Sequence, residues 1–334
     1  MKRVCSVALA ILLFAGAASA QGLFDLFGSM SGAEGEKKVR VSYVEGDRAS
    51  TDEVLLITVK GIIRDSDEEE KMPFEIRQNM IEKLKKDVEA ALEREQIKAV
   101  LLEIDSPGGE VTAADVIHHH LSKIKGANKP VVALIGMMGA SGGYYIACAA
   151  DQIWAHPTSI VGSIGVIMQG ANLEKFAQLV GYRHVPIKSD RTPKKDLLSP
   201  FREMTEEERT MLLSIVDTLY DRFLEIVCTS RKKNREEIAK LADGSIFTAS
   251  QALKNGLLDG IGYREEALAK ALELANLKSG KLVKRKTKKG LSEILSELAD
   301  AGSGMPGLWM RFQSMIDAGS TPSLEYRMQL QGAR

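Results

Sequence analysis

The chain has few cysteines, no net charge and no long apolar run after its N-terminus. Its 334 residues hold three cysteines. Only Cys148 and Cys228 follow the N-terminal segment, so a disulfide framework is excluded as the basis of the fold. Lysine plus arginine and aspartate plus glutamate number 45 each, which gives no electrostatic reason to expect nucleic acid as a partner. These absences leave a globular chain of one or two domains with a large buried core.

The first twenty residues predict an export signal. Lys2 and Arg3 precede an apolar stretch at 7–17, and residues 18–20 read Ala-Ser-Ala, a small-residue cleavage site. Cleavage after residue 20 is expected, with an uncleaved membrane anchor as the alternative. Residues 21–40 contain Gly, Ser and scattered charge, which is typical of a mobile tether. Export would place the body in the periplasm or at the outer face of the inner membrane.

From Val41 onward, apolar runs of strand character alternate with segments of helical periodicity. This order predicts parallel strands joined by right-handed crossovers in one α/β body over 41–277. Residues 278–334, which contain the basic run KLVKRKTKK at 281–289, predict a linker and a C-terminal extension. A further strand is expected around His184. The expected strands of the body are 54–63, 98–109 and 129–136, and the expected helices are 80–96, 111–125, 141–150, 173–181 and 205–231.

Two glycine-rich turns follow neighbouring strands. One is GASGG at 139–143, a G-x-S-x-G pattern typical of a nucleophile elbow, which makes Ser141 a candidate nucleophile. The other is DSPGG at 105–109, in which Gly108 and Gly109 allow close approach of a backbone amide. Together they indicate a site at the carboxyl ends of adjacent strands.

A serine nucleophile needs a base, and the histidines fit this role poorly. An α/β-hydrolase requires a histidine after the serine, and only His156 and His184 follow Ser141. No HGGG-type segment precedes the serine. The three histidines at 118–120 are successive helix positions about 100° apart, so they cannot converge on one metal ion. A lysine whose pKa is lowered by burial is the other candidate base.

Three ordered segments resemble the signal peptide peptidase A family of Ser-Lys serine proteases. They are DSPGG at 105–109, ASGGYYIACAADQIWAHPTSIVGSIGVI at 140–167 and KKDLLSPFREMTEEE at 194–208. The resemblance covers roughly residues 50–275 and is far more specific than G-x-S-x-G alone. It implies an α/β fold of the Clp protease/crotonase-like superhelical class, with parallel strands and crossover helices.

The resemblance assigns the catalytic pair. Ser141 corresponds to the nucleophile, and the lysine directly before Asp196 corresponds to the general base, which points to Lys195. The loop KSDRTPKKD is longer than the usual turn of the family and places Lys194 beside Lys195. Lys195 is therefore preferred, with Lys194 as the alternative and Lys188 as a distant third.

The resemblance also assigns the groups that assist the pair. Ser163 in VGSIG corresponds to the serine that hydrogen-bonds and orients the lysine. The backbone amides of Gly108 and Ser141 correspond to the donors of the oxyanion hole. No cofactor and no metal ion are implied.

The resemblance implies hydrophobic peptide substrates, chiefly signal-peptide remnants near a membrane surface, and a homo-oligomer in which a neighbour sometimes supplies the lysine. Three alternatives remain at this stage. They are a non-catalytic peptide-binding assembly protein of the same fold, a histidine-based α/β-hydrolase, and an acyl-CoA enzyme of the crotonase group. The export signal argues against the acyl-CoA enzyme, because CoA chemistry is intracellular.

Overall fold

The computed structural model describes residues 39–65 and 79–286. The chain divides into two units, Met1–Arg40 and Val41–Arg334, and every element described below belongs to the second. The expected export signal lies outside the described residues. So do the expected tether, apart from its last two residues, and the chain after residue 286. Within the described ranges, no helix is both long and apolar enough to cross a membrane.

A largely parallel sheet organises the second unit. Its strands lie in the order β1-β9-β2-β3-β4-β5-β8, and β6 pairs with both β4 and β7. The pairs β1/β9 and β6/β7 are antiparallel, whereas β2 to β5 run parallel, as the alternation of strands and helices predicts. The strands are β1 Val41–Gly46, β2 Glu53–Lys60, β3 Ile97–Ser106, β4 Val131–Ala140, β5 Gln152–Ala155, β6 Ile160–Gly162, β7 Ile246–Thr248, β8 Gly260–Ile261 and β9 Lys281–Arg285.

The helices fall close to their predicted positions. α5 begins with the predicted capping box, in which Thr205 and Glu208 exchange side-chain and backbone hydrogen bonds. A 3₁₀ turn over Pro193–Asp196 precedes it. The helices are α1 Met80–Glu93, α2 Val111–Gly126, α3 Gly142–Ala147, α4 Glu174–Leu179, α5 Glu206–Arg231, α6 Arg235–Ala239, α7 Ala249–Lys254 and α8 Arg264–Leu274.

Both faces of the central strands are buried, which explains why their sequences lack clean alternation. On one face, α8 packs through Ala267, Leu268 and Ala271. On the other side of the sheet, α1 packs against β2 and β3 and α2 packs against α1. The buried strand residues beneath α8 are Val54, Leu56, Ala99, Leu101, Val132, Leu134 and Leu282.

The predicted linker from residue 278 is wrong at its start, because Lys281–Arg285 is a strand within the sheet. Leu282 and Val283 are both buried, and β9 pairs with β1 on one side and β2 on the other. The buried carboxylate of Asp87 binds Arg285 at 2.5 Å and anchors the end of the strand. The sequence hides this strand because only two apolar residues stand among the basic ones. The globular body therefore continues beyond residue 277.

His118 generates a prediction about stability at low pH. Its ring on α2 meets the edge of the Tyr145 ring on α3 at a centroid distance of 5.3 Å. Burial lowers its pKa from 6.5 to about 4, with the Asp115 carboxylate acting in the opposite direction. In the unfolded chain the imidazole binds a proton at higher pH than in the folded chain. The free energy of unfolding therefore falls as the pH drops from about 6.5 towards 4.

We expect the His118→Gln variant to lose less stability than the parent between pH 7 and pH 4.5, by roughly 2 kcal/mol. Urea denaturation across this pH range measures the effect. His119→Gln is the matched control, because His119 neighbours His118 on α2 and is exposed. The same pH dependence in the parent and in His118→Gln would contradict the prediction.

Candidate active site

The candidate site is built where β4 changes its partner. The first half of β4 pairs with β5 through residues 132–135, and its end pairs with β6 through residues 138–140. The register between β3 and β4 also shifts between Ile104 and Ser106. This irregularity carries the end of β4 away from β5 and places Ser141 beside the end of β6.

Side chains satisfy the backbone groups that the shift leaves unpaired. A carboxylate oxygen of Asp105 accepts a hydrogen bond from the Met138 amide at 3.1 Å. The buried hydroxyl of Ser159 bonds to the carbonyl oxygens of Ile135, at 3.1 Å, and Gly136. Because buried backbone groups are costly to leave unpaired, these contacts stabilise the bend.

Ser141 has the strained backbone of a nucleophile elbow. Its φ is 51° and its ψ is −120°, a combination that L residues rarely adopt and that costs of the order of 1–3 kcal/mol. Its amide donates to the carbonyl oxygen of Gly162 at 2.8 Å, and its carbonyl accepts from the Tyr145 amide at 3.0 Å. The side chain makes no capping bond to α3 and is only partly buried. Its hydroxyl group is therefore held on a rigid turn without being used for helix capping.

Gly108 lies directly against this turn, as the two glycine-rich motifs predict. Its φ is +100°, and a Cβ atom at this position would come within 2.7 Å of the Gly142 amide nitrogen and 2.9 Å of the Ser141 Cβ. Only glycine fits such an approach without displacing the backbone. The turn after β3 and the nucleophile turn after β4 are thus in contact.

The two amides predicted for the oxyanion hole are both engaged elsewhere. The Gly108 amide donates to the Ser106 hydroxyl at 3.1 Å, and the Ser141 amide donates to Gly162. Ser106 is itself fully buried and donates to the carbonyl of Gly61 at 2.7 Å. The assignment of the Gly108 and Ser141 amides therefore needs correction, because neither N–H is available to an oxyanion.

The next amide along each turn is the better donor. In the parallel bridge between Ile63 and Gly109, Ile63 bonds to the residues on either side of Gly109, so the Gly109 amide points away from Ile63. A Cβ atom built on Gly142 would lie 3.4 Å from the Gly109 nitrogen. As the first helical residue, Gly142 also has an amide without a partner inside α3. The second glycine of DSPGG and the glycine after the serine were the sequence signals for this pair.

Ser163 also lies beside the nucleophile turn. It directly follows Gly162, whose carbonyl accepts from Ser141, and it has a positive φ of 49°. Its amide donates to Ser245 at 2.7 Å, which fixes this unusual conformation. The structure therefore brings Ser141, Gly108 and Ser163 together at the ends of β3, β4 and β6.

The candidate lysines lie on a separate, exposed segment. Lys195 is exposed on the 3₁₀ turn and forms no hydrogen bond to Ser141 or Ser163 within the described part of the chain. The Lys194 ammonium binds Glu207 at 2.6 Å. The Lys188 ammonium binds the Asp196 carboxylate at 2.5 Å. Within the described part of a single chain, Lys195 therefore has no hydrogen bond to the serine, while both alternative lysines already have carboxylate partners.

The two later histidines contact aromatic rings instead of the serine. The His156 ring lies 5.4 Å from that of Tyr263, and the His184 ring lies 5.0 Å from that of Phe201. Among the described residues, no histidine is hydrogen-bonded to Ser141. The strand predicted around His184 is also wrong, because residues 183–189 are exposed and irregular.

The close approach of Gly108 generates a prediction about the reactivity of Ser141. We expect Gly108→Ala to slow the labelling of Ser141 by a fluorophosphonate by about 100-fold or more, because the new methyl group displaces the turn and its amides. Mass spectrometry of the labelled peptide measures the rate. Gly170→Ala is the control, since a Cβ at Gly170 meets no atom within 4 Å. Equal labelling rates for the two variants would contradict the prediction.

Comparisons with known proteins relate the chain to peptidases. The model of peptidase family S49 matches residues 123–278, and the Clp protease model matches residues 70–161. A putative protease (slr0021) of Synechocystis is 41% identical over 191 residues, which are 57% of this chain and 68% of that protein. A putative signal peptide peptidase SppA of Enterococcus faecium is 36% identical over 222 residues, 66% of this chain and 63% of the relative.

A third relative, Protease 4 of Salmonella typhi, is 37% identical over 183 residues, 55% of this chain and 29% of that protein. The chain thus spans less than two thirds of the length of two of these three relatives. The expected Clp protease-like fold is confirmed, and so is the expected peptidase class at the level of the family. The chain belongs to peptidase family S49.

Proposed function

We propose that the chain is a serine endopeptidase in which Ser141 attacks the peptide carbonyl and Lys195 is the general base. One observation carries the proposal. Ser141 sits on a strained turn and its hydroxyl makes no capping bond to α3. Beside it lie the amides of Gly109 and Gly142, for which no partner is found among the described residues. A nucleophile next to two convergent backbone donors is the arrangement that acyl transfer requires.

The proposed reaction proceeds through an acyl-enzyme. The neutral amine of Lys195 takes the proton of the Ser141 hydroxyl as its oxygen bonds to the substrate carbonyl carbon. The Gly109 and Gly142 amides donate to the resulting oxyanion. The lysine returns the proton to the leaving amine as the peptide bond breaks. It then removes a proton from the water that hydrolyses the ester, which regenerates the serine.

Lys195 is the best-supported base of the three candidate lysines. Lys188 is held by Asp196 and by the carbonyl of Pro193 at 2.7 Å, which gives it a role within the segment. Lys194 is paired with the exposed carboxylate of Glu207. Lys195 is exposed and forms no ion pair with an acidic residue within the described ranges, so no carboxylate competes for its amine.

We propose that the site is completed in a homo-oligomer. The lysine arm, defined here as residues 165–205, exposes many large apolar side chains, with Leu179 83% and Ile187 98% exposed. Contiguous exposed apolar surface of this kind marks an interaction site. Burial of the arm against a second copy would cover these side chains and bring a lysine close to a serine. The other exposed apolar members of the arm include Ile167, Phe176, Val180 and Val185.

The proposed substrates are hydrophobic peptides, chiefly remnants of signal peptides. The relative from Enterococcus faecium carries the name signal peptide peptidase. The export signal predicted at residues 1–20 would place this chain at the outer face of the membrane from which such peptides emerge. An oligomer docked at a membrane surface would meet these peptides directly.

Four variants test the catalytic assignment. We expect Ser141→Ala and Lys195→Ala each to lower kcat for a hydrophobic peptide ester and for a synthetic signal peptide by about 1,000-fold or more, because the nucleophile and its base act as a unit. Lys194→Ala and His184→Ala should stay within about threefold of the parent, as expected for residues outside the chemistry. The protein is residues 21–334, and hydrolysis is followed by chromatography.

Each of the other outcomes supports a different function for this chain. Loss of activity with His184→Ala would move the chain to the histidine-based hydrolases. Loss with Lys194→Ala but not with Lys195→Ala would move the base by one residue. A folded but inactive parent that retains peptide binding would support the non-catalytic assembly protein.

One substitution tests the role of the lysine arm. We expect Ile187→Asp to weaken self-association by about tenfold or more and to lower activity in parallel, because it places a charge in a buried apolar contact. Analytical ultracentrifugation measures the assembly. Leu253→Asp on α7, which is also exposed but lies outside the arm, is the control. Unchanged self-association of Ile187→Asp would contradict the prediction. A change in vesicle binding without a change in self-association would indicate that the lysine arm contacts a membrane surface.

A further inference from the structure

The guanidinium group of Arg202 is the centre of a charge network that the proposed chemistry does not use. It forms a two-pronged contact with Glu208, at 2.8 Å to Oε2 and 2.6 Å to Oε1. Nη1 also donates to the backbone carbonyl of Glu203 at 3.0 Å. The remaining contacts go to Asp196: Nη2 donates to the backbone carbonyl at 3.1 Å and to Oδ1 at 3.2 Å, and Nε donates to Oδ2 at 3.3 Å. One planar side chain therefore joins the residue that follows Lys195 to the first turn of α5.

The network ends on a rigid element at the helix. Glu208 accepts from the Thr205 amide at 2.9 Å, and its own amide donates to the Thr205 hydroxyl at 3.2 Å. This capping box fixes the start of α5, and the side chain of Glu208 is only 7% exposed. Hydrogen bonds from Arg202 and Thr205 lower the pKa of Glu208 to about 2. The carboxylate thus stays charged and anchored throughout the neutral range.

At its other end, the network encloses the turn that carries Lys195. The Lys195 amide donates to Thr192 at 3.1 Å, which closes the 3₁₀ turn before Asp196. The side chain of Asp196 is only 14% exposed, and Arg202 and Lys188 hold the pKa of this carboxyl well below its usual range. The backbone of Lys195 is therefore held from both sides, although its side chain remains exposed.

Arginine suits this position better than lysine would. A guanidinium group presents several donors in one plane and can bind two carboxylates and a carbonyl at once, whereas an ammonium group is a point charge. Arg202 also places its positive charge against Asp196, the residue that follows Lys195. It balances the Asp196 and Glu208 carboxylates, which would otherwise stabilise the protonated form of a neighbouring lysine.

We infer that Arg202 is a positioning residue for the catalytic lysine: it fixes the Lys195 turn to the start of α5 and balances the carboxylates around it. The inference rests on the proposed function, because it concerns the base of the same reaction. The charged groups around the turn are Lys188, Lys194, Asp196 and Arg202 on the lysine arm, and Glu207 and Glu208 on α5.

The test compares Arg202→Lys and Arg202→Ala with the parent, using residues 21–334. Displacement of a catalytic group by about 1 Å can cost about 100-fold in rate, so we expect both variants to lower kcat for a small peptide ester by roughly 10- to 100-fold. KM should change by less than about twofold, because the contact with substrate is intact. The rate of fluorophosphonate labelling of Ser141 should fall in parallel with kcat.

The pH profile separates this role from a purely structural one. In Arg202→Ala, Asp196 and Glu208 lose their cation, so uncompensated negative charge remains beside the turn of the base and the acid limb of the activity profile should move to higher pH by about half a unit or more. In Arg202→Lys the charge remains, so the acid limb should stay in place while kcat is still reduced. Added methylguanidinium should restore part of the activity of Arg202→Ala only.

Arg209→Ala is the matched control, because Arg209 lies next to Glu208 in the first turn of α5 and is exposed. Its backbone amide donates to the Thr205 carbonyl as part of the helix. Circular dichroism and the assembly state are measured for every variant. Unchanged kcat and an unchanged acid limb in both Arg202 variants, with an active parent, would overturn this inference alone. A loss of activity in the Arg202 variants that only matches the fraction of unfolded protein would also overturn it. A parent without Ser141-dependent hydrolysis would overturn the proposed function and this inference together.

Discussion

The hydrogen bond from the Ser141 amide to the Gly162 carbonyl joins the two strand ends on which the candidate site is built. It forms because β4 leaves β5 and continues beside β6. The bond holds Ser141 in its strained conformation and, at the same time, removes its amide from the set of oxyanion donors. The close contact of Gly108 with the same turn then leaves the amides of Gly109 and Gly142 beside the serine. The position of Ser141, its strained backbone and the set of amides left beside it therefore all depend on how β4 ends against β6.

The two halves of the proposed catalytic pair lie in contrasting environments. Ser141 is supported by the sheet, by α3 and by the turn after β3, all of which are well packed. Lys195 belongs to the lysine arm, which is largely exposed and displays apolar side chains such as Leu179 and Ile187. A lysine serves as a base only when its neutral form is accessible, and burial is the usual means of lowering its pKa. Association of the arm with another copy would provide that burial.

Many features of the fold were predictable because they depend on local patterns. The start of α5 at Thr205 follows from a capping box, and the buried strands β2, β3 and β4 follow from apolar runs bounded by turns. The strand β9 was missed because its identity depends on its neighbours: Leu282 and Val283 stand among basic residues, and only pairing with β1 and β2 makes a strand of them. The strand expected at His184 failed for the opposite reason, since nothing in the described chain pairs with it.

For the site, the sequence alone determined the identity of the chemical groups. Ser141 between glycines and the DSPGG turn were recognisable, because residue type and spacing specify which turns can approach closely, whereas Ser163 was assigned through the family resemblance. Only the tertiary structure decided which amides are free, because each N–H is either satisfied or open according to partners such as Ser106 and Gly162 that are distant in sequence. The same holds for the contacts of Arg202: the sequence around it does not indicate them, and they form because folding brings Asp196 and Glu208 to either side of one guanidinium group.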